Sequence, residues 1–152
     1  MLTSLDAVAG AEAADLFAGS GALGIEALSR GAATVTFVEA ERHAVQVIRG
    51  NLEATGLAGP RARVVTADVV RWLDGPASVG PFDLVLADPP YAFAAWPSLL
   101  ERLRGPALAG DGLVALESGS EIAFGPGWEV LRLKHYGTTV VVLARPDRKG
   151  DT

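Results

Sequence analysis

The chain has 152 residues, of which 49% are hydrophobic and 20% are charged, and its formal net charge is -5. This length suits one well-filled hydrophobic core and is short for two, so a single domain is expected. The absence of cysteine excludes disulfides, thiolate metal sites and a cysteine nucleophile. The two histidines, His43 and His135, are far apart in sequence, which leaves little material for a zinc site or a histidine-based triad.

The N-terminal stretch has no basic region, and no part of the chain approaches the roughly 20 apolar residues of a membrane span. A cytoplasmic protein without membrane association is therefore expected. The acidic balance argues mildly against a strongly basic nucleic-acid binder, although a local basic patch can coexist with it. A monomer is expected, because no exposed apolar stripe is left unassigned.

Short apolar runs rich in Val, Phe and Leu alternate with helical patterns along the chain. Five of these runs are predicted to be strands: residues 13–18, 34–39, 62–67, 82–87 and 112–117. The segments between them carry apolar residues at spacings of three and four, which is typical of helices that cover a sheet. One stripe contains Val45, Ile48 and Leu52 with Ala44 alongside, and another contains Trp96, Leu99, Leu100 and Leu103. The alternation predicts a parallel sheet with helices on both faces.

The pattern changes near the C-terminus. The stretches WEVLRLKHY and TTVVVLARP indicate two further strands, joined around residues 136–138. A hairpin that closes an otherwise parallel sheet is the simplest interpretation, which gives an α/β fold with seven strands. Residues 1–146 are predicted to form one domain, and the polar residues 147–152 a disordered tail.

The first predicted strand leads into DLFAGSGALGIEAL, where Gly19, Gly21 and Gly24 fit the pattern G-x-G-x-x-G. Glycines at this spacing let the backbone turn tightly and approach a ligand closely, although a turn without a ligand can carry the same pattern. Glu39 ends the second predicted strand, 20 residues after Gly19, where a carboxylate can accept both hydroxyls of a ribose. A nucleoside-bearing cofactor is therefore predicted, and both NAD and S-adenosylmethionine satisfy these features.

Asp68 follows the third predicted strand, at the carboxyl edge of the sheet. Its carboxylate, beside Val69, is placed to hold the amino group of an adenine lying over that edge. The alternative is that Asp68 is the N-cap of the next helix, and the two roles are compatible.

The stretch ADPPY, residues 87–91, directly follows the fourth predicted strand. Methylation of the exocyclic amine of a base needs acceptors for the amine hydrogens, because the nitrogen lone pair is delocalised into the ring. Asp88 and the carbonyl of Pro89 are candidates for these acceptors, in a turn that Pro89 and Pro90 make rigid. Tyr91 offers a flat face on which a base can stack. The alternative is a plain loop after a buried strand.

Four stretches together resemble the Rossmann-like class I S-adenosylmethionine-dependent methyltransferases: DLFAGSGALGIEALSRGA, VTFVEAERHAVQVIRGNL, FDLVLADPPY and HYGTT. Within that class the chain is similar to the RsmD-like bacterial enzymes, which methylate the N2 amine of a guanine in 16S ribosomal RNA. The resemblance covers about residues 14–146. It implies S-adenosylmethionine as cofactor, S-adenosylhomocysteine as product, no metal, and 16S ribosomal RNA or the small ribosomal subunit as partner.

The resemblance also assigns site residues. It implies a catalytic turn formed by Asp88, Pro89, Pro90 and Tyr91. It implies a cofactor site lined by Asp15, Phe17, Gly19, Ser20, Gly21, Glu39, Ala40, Asp68, Val69 and Asp88.

The chain departs from the family pattern at its start. Family members carry a basic segment ahead of the first strand, with an Arg-Pro-Thr stretch and an arginine-bearing helix, whereas MLTSLDAVAG resembles the end of that helix. The missing segment would be expected to supply much of the RNA contact and part of the cofactor pocket. Arg132, Lys134 and Tyr136 are weaker candidates for RNA contact, because the period of a strand places Arg132 and Lys134 on one face. Charges that protect an ordinary sheet edge are an equally good explanation.

Three other functions compete with guanine methylation. The same turn would serve an N6-adenine methyltransferase acting on DNA or RNA. A chain without the basic segment would also fit a catalytically silent module that binds S-adenosylmethionine. An NAD-dependent oxidoreductase is disfavoured by ADPPY and by the lack of an evident hydride-transfer acid such as a site histidine or a Tyr-x-x-x-Lys pair.

Overall fold

The computed structural model describes residues 8–75, 80–90 and 93–148, so Tyr91 of the predicted catalytic turn lies outside the described residues. Within them, strands and helices alternate as the sequence predicts. The elements are β1 (Glu12–Leu16), α1 (Ala22–Ser29), β2 (Thr34–Glu39), α2 (Arg42–Ala54), β3 (Ala62–Thr66), α3 (Val69–Asp74), β4 (Phe82–Ala87), α4 (Trp96–Leu103), β5 (Leu108–Ser118), β6 (Trp128–Tyr136) and β7 (Thr139–Pro146).

The strands form one sheet in the order β3-β2-β1-β4-β5-β7-β6. Neighbouring strands from β3 to β5 are parallel, and β7 runs antiparallel between β5 and β6. The predicted α/β fold, with its mostly parallel sheet and C-terminal hairpin, is confirmed. From β1 the chain adds strands outward on one side and then restarts at β4 on the other. The loops after β1 and β4 therefore diverge, which opens a crevice at the carboxyl ends of these strands.

Strand boundaries agree closely with the sequence pattern except in β5. The apolar run predicts residues 112–117, whereas β5 begins at Leu108. Phe82 pairs with Leu108 and Leu84 pairs with Leu113, so β5 carries extra residues opposite β4. Pairing with β4 resumes at Leu113 after this irregularity, whereas Gly110 and Asp111 interrupt the apolar pattern that sequence analysis relies on.

The two described residues that follow β7 form hydrogen bonds to earlier parts of the chain. The amide of Asp147 donates to the carbonyl oxygen of Gly127 at 2.8 Å, and the carbonyl of Asp147 accepts from Arg104 at 3.3 Å. Arg148 donates to the carbonyl oxygen of Arg104 at 3.2 Å. These hydrogen bonds connect Asp147 and Arg148 to the rest of the domain.

A hydrophobic core covers each face of the sheet. On one face α1 and α2 pack over β1 and β2, with Leu28, Phe37 and Ile48 almost fully buried. On the other face α3 and α4 contribute Trp72 and Leu99. Both predicted helical stripes point into these cores. None of the described helices is long and apolar enough to cross a membrane.

Candidate active site

A cleft of about 490 Å³ opens at the carboxyl ends of β1, β2, β3 and β4, where the strand order reverses. This volume lies in the range of small-molecule sites. The cleft is lined by Phe17, Gly19, Glu39, Ala40, Glu41, Ala44, Asp68, Val69, Asp88, Pro90 and Phe93. Most of the residues that the sequence assigned to the cofactor and the catalytic turn therefore lie around one space. Ser20 is exposed outside this lining, and its carbonyl accepts a hydrogen bond from the Asn51 side chain at 2.9 Å.

The loop after β1 needs glycine for its backbone conformation. Gly19 has φ of +59° and Gly21 has φ of +82°, a region that glycine adopts without strain. A Cβ at Gly19 would meet nothing nearer than the carbonyl oxygen of Phe17 at 4.0 Å. Gly19 therefore leaves the cleft side of the loop open to a ligand. Phe17 adopts a positive φ of +58° without being glycine, which marks this loop as locally strained.

The third glycine of the pattern has a different role. A Cβ at Gly24 would lie 2.3 Å from Cε1 of Phe37, whose ring is fully buried. Gly24 lies inside α1 and allows this helix to pack directly against the sheet. The glycine pattern thus combines an open loop at Gly19 with close helix packing at Gly24.

The Glu39 side chain forms hydrogen bonds with the loop after β1 and with the loop after β2. Its Oε1 accepts a hydrogen bond from the amide of Gly19, and its Oε2 accepts one from the amide of Glu41, both at 2.9 Å. Each carboxylate oxygen has a second lone pair, so these bonds leave Glu39 able to accept the hydroxyls of a ribose as well.

Asp15 lies beneath the cleft and not among its lining residues. Its side chain is buried, and its Oδ2 accepts a hydrogen bond from the amide of Gly24 at 3.0 Å. The pKa of Asp15 is raised to about 8, chiefly by burial; the Gly24 hydrogen bond opposes this rise, and the charges of Asp88 and Glu39 add to it. Asp15 therefore holds the first turn of α1, which directly follows the glycine loop.

Asp68 begins α3 and lies on the cleft wall. Its Oδ1 accepts a hydrogen bond from the amide of Arg71 at 3.0 Å, which makes Asp68 the N-cap of this helix. The capping role proposed from the sequence is present, and Val69 beside it is buried at the same wall.

The turn after β4 is joined to the glycine loop by aromatic side chains. The amide of Phe93 donates to the carbonyl oxygen of Pro90 at 2.9 Å. The ring of Phe93 contacts Phe17 and Trp96 edge-on, each with centroids 5.2 Å apart. Phe93 is a lining residue that sequence reasoning missed, although its position just after ADPPY was an available signal.

A second missed residue lies beside Asp88. Ala87 of β4 pairs with Leu116 of β5, so Asp88 and Glu117 follow side by side. Burial raises the pKa of both carboxyl groups, and the negative charge of Asp88 together with their mutual hydrogen bond raises the pKa of Glu117 further. The hydrogen bond from Glu117 acts in the opposite direction on Asp88 and favours its ionised form.

The residues proposed for RNA contact lie on the edge strand β6, away from the cleft. Arg132, Lys134 and Tyr136 are exposed and share one face, opposite Leu143, Val141 and Thr139 of β7. Strands β5 and β7 separate them from Asp88.

Comparison with known proteins gives consistent matches. The family model described as conserved hypothetical protein 95 matches residues 2–145. Ribosomal RNA small subunit methyltransferase D of Haemophilus influenzae is 39% identical over 82 residues, which is 54% of this chain and 42% of that protein, so the match spans less than half of the relative. The protein of the same name from Escherichia coli K12 is 34% identical over 146 residues, covering 93% of this chain and 72% of that protein. The solved structure of the Escherichia coli protein yhhF superposes with a TM-score of 0.80 at 34% identity, covering 92% of this chain and 77% of that one.

Proposed function

The chain belongs to the conserved hypothetical protein 95 family, and we propose that it transfers a methyl group from S-adenosylmethionine to the N2 amine of a guanine in the RNA of the small ribosomal subunit. The match over residues 2–145, together with the two relatives named ribosomal RNA small subunit methyltransferase D, confirms the family resemblance drawn from the sequence. The observation that carries the proposal is one cleft that joins the glycine loop, Glu39 and Asp68 to the turn containing Asp88.

S-adenosylmethionine fits the residues of this cleft. Gly19 provides room for close approach, Glu39 has acceptor positions for ribose hydroxyls, and Asp68 with Val69 would hold the adenine. When bound, the cofactor supplies a methyl group attached to a positively charged sulfonium. The charged residues among the described lining are all carboxylates, which suits a cationic ligand and disfavours the anionic pyrophosphate of NAD.

The turn after β4 suits an amine acceptor. The Asp88 carboxylate and the Pro89 carbonyl would accept the two amine hydrogens and so orient the nitrogen lone pair toward the methyl group. The hydrogen bond between Pro90 and Phe93, together with the packing of Phe93 against Phe17, would hold that turn in place. Tyr91 is proposed as the stacking surface for the base.

The acidic residues of the cleft affect which part of an RNA substrate could enter it. Carboxylates repel phosphate, so we infer that the base alone enters the cleft while the sugar-phosphate backbone stays outside. Arg132, Lys134 and Tyr136 on the exposed face of β6 are proposed as weak contacts to that backbone and its bases. A ribosomal RNA substrate places the proposed activity in the cytoplasm, and a monomer would suffice for it.

Substitution of Asp88 tests the proposed role directly. We expect Asp88→Ala to lower methyl transfer to small-subunit RNA by roughly 10²–10⁴-fold, because the amine loses its oriented acceptor. Affinity for S-adenosylhomocysteine, measured by calorimetry, should stay within about threefold, or roughly 0.7 kcal/mol. Asp111→Asn, which removes an exposed carboxylate near the other end of the sheet, is the control and should leave both quantities unchanged. Equal losses of transfer and of cofactor binding in Asp88→Ala would contradict the role.

The proposal also specifies which base receives the methyl group. Methyl incorporation into oligonucleotides that contain guanine but no adenine, and into the converse set, separates N2-guanine from N6-adenine transfer. Binding of S-adenosylhomocysteine without transfer to any RNA or DNA would instead indicate a silent cofactor-binding module.

A further inference from the structure

Glu117 is placed beside the proposed catalytic carboxylate by the sheet itself. Parallel pairing of Ala87 with Leu116 puts the next residue of each strand, Asp88 and Glu117, at adjacent strand ends. Their side chains are in hydrogen-bonding contact. Glu117 is held in turn by pairing with Val141 of β7 on its other side. The position of Glu117 is therefore fixed by two strands, whereas Asp88 is fixed by β4 and the proline turn.

The neighbours of this pair are mostly acidic. Asp15 on β1 and Glu39 on β2 lie on the same face at the same edge, and the charge of Asp88 raises the pKa of Asp15. On the other side, the row continues through Val141 to Lys134 of β6, so an apolar side chain lies between Glu117 and that cation. Within the described ranges no three acidic or histidine side chains are arranged to hold a metal ion.

Two adjacent carboxyl groups with acidic neighbours favour a shared proton. Full ionisation of both places two negative charges at hydrogen-bond distance, while one proton between them turns repulsion into a hydrogen bond. Glu117 is partly buried, which strengthens the preference for the singly charged pair, whereas Asp88 is exposed at the cleft. When both groups are ionised, the pair is therefore a stronger proton acceptor than an isolated aspartate at the end of β4, because the first proton taken up is shared between them.

We propose that Glu117 is a positioning residue that acts through Asp88, and that the two carboxyl groups together take up the proton that the substrate amine loses on methylation. This inference rests on the proposed function. The nitrogen lone pair forms the new bond to the methyl carbon, and the bond from that carbon to sulfur breaks with its electron pair left on sulfur. The nitrogen then loses one proton and recovers a lone pair. That proton passes to Asp88, is shared with Glu117, and later leaves to solvent.

The first test measures the pair without any substrate. Aspartate and glutamate carboxyl carbons are labelled with carbon-13, and their chemical shifts are followed from pH 4 to pH 9. Loss of signals in Asp88→Asn and Glu117→Gln assigns the two groups. In the unsubstituted protein both signals should titrate over the same two steps. In Glu117→Gln the Asp88 signal should titrate in one step, with its midpoint at least about one pH unit below the upper step of the pair.

Glu121→Gln is the matched control, because it removes the same charge from an exposed position four residues further along. It should leave the Asp88 titration unchanged. An Asp88 midpoint that is the same in Glu117→Gln and in the unsubstituted protein would overturn the inference.

The second test measures the rate. With small-subunit RNA as substrate, we expect Glu117→Gln to lower kcat by roughly 10–100-fold and to move the acidic limb of the pH profile to lower pH. KM for RNA and the affinity for S-adenosylhomocysteine should stay within about twofold, which a merely structural role would not predict. An unchanged kcat and pH profile would refute the role of Glu117 and leave the proposed function intact. Failure of the unsubstituted protein to methylate any RNA would refute the proposed function, while the carboxyl titration still decides whether the pair shares a proton.

Discussion

Strands β1 and β6 belong to one sheet but differ sharply in how much of their side chains is exposed to solvent. From Ala13 to Leu16, no side chain of β1 is more than 1% exposed, because strands flank it on both sides and helices cover both faces. In β6, Val130, Leu131 and Leu133 are 44%, 41% and 45% exposed, although valine and leucine are at least as apolar as the alanines and leucine of β1. Apolar content alone therefore does not decide burial in this molecule, whereas position in the sheet does.

The proposed active site lies at the ends of the buried strands. Its loops begin at the ends of β1, β2 and β4, where packing fixes the backbone, and buried Asp15 accepts a hydrogen bond from the first turn of α1, which follows one of these loops. The edge hairpin instead presents side chains to solvent, which suits contact with a large partner better than precise alignment of reacting atoms. Substitutions in the buried part of the sheet should therefore lower the free energy of unfolding more than substitutions on β6.

The largest effect is expected at the close contact between α1 and the sheet. Gly24→Ala would place a methyl group 2.3 Å from the buried ring of Phe37, and we expect it to lower the free energy of unfolding by about 3 kcal/mol or more. Gly50→Ala is the matched control, because Gly50 lies in α2 with nothing within 4 Å of a new Cβ. That substitution should raise stability by roughly 0.5–1 kcal/mol. Urea unfolding measures both, and equal effects would contradict the packing role of Gly24.

The second effect depends on pH. Asp15 has an ordinary pKa of 3.8 and a folded-state pKa of about 8, so the folded chain binds its proton more tightly than the unfolded chain does. Its contribution to stability is therefore greatest below about pH 4 and is lost as pH rises toward about 8.

Asp15→Asn should remove this loss, because an amide carries no charge and its oxygen still accepts from Gly24. We expect the variant to gain stability relative to the unsubstituted protein between pH 5 and pH 8, by roughly 2–5 kcal/mol in total. Urea unfolding across this range gives the difference, and Asp111→Asn controls for loss of an exposed carboxylate. A constant difference between Asp15→Asn and the unsubstituted protein would show that Asp15 is ionised when buried.

The smallest effect compares two residues that face each other across the hairpin. Leu133 of β6 pairs with Val142 of β7, yet Leu133 is 45% exposed and Val142 is 0% exposed. We expect Val142→Ala to cost about 2 kcal/mol and Leu133→Ala less than about 1 kcal/mol, although leucine is the larger residue. Thermal unfolding of the two variants would rank them. A larger loss for Leu133→Ala would mean that β6 is covered in solution.

Local sequence pattern was sufficient to predict the strands and helices and many of the residues that line the cleft. Residues 34–39 and 82–87 were predicted as strands with the boundaries observed, because each is a short segment rich in apolar residues and largely buried on both faces. The glycine loop and Glu39 were also found, since their spacing follows from one strand, one helix and the next strand.

Features that depend on pairing between strands far apart in sequence could not be predicted from local sequence pattern. Glu117 lies 29 residues after Asp88 in sequence, and only the register of β4 with β5 brings the two carboxyl groups together. The position of Asp15 beneath the cleft likewise depends on how α1 packs over β1, which Gly24 permits. The exposure of β6 on both faces depends on its place at the edge of the sheet, for which Arg132 and Lys134 were the only signal used in the sequence.

The central claim is that the cleft serves methylation of a guanine amine in RNA. Its most direct test is mass spectrometry of nucleosides from small-subunit RNA that was transcribed without modifications. The RNA is incubated with the protein and S-adenosylmethionine carrying a deuterated methyl group, both free and reconstituted into subunits. The account predicts deuterated N2-methylguanosine, which is lost with Asp88→Ala. Deuterated N6-methyladenosine in its place, or no labelled nucleoside from either form of the RNA, would contradict it.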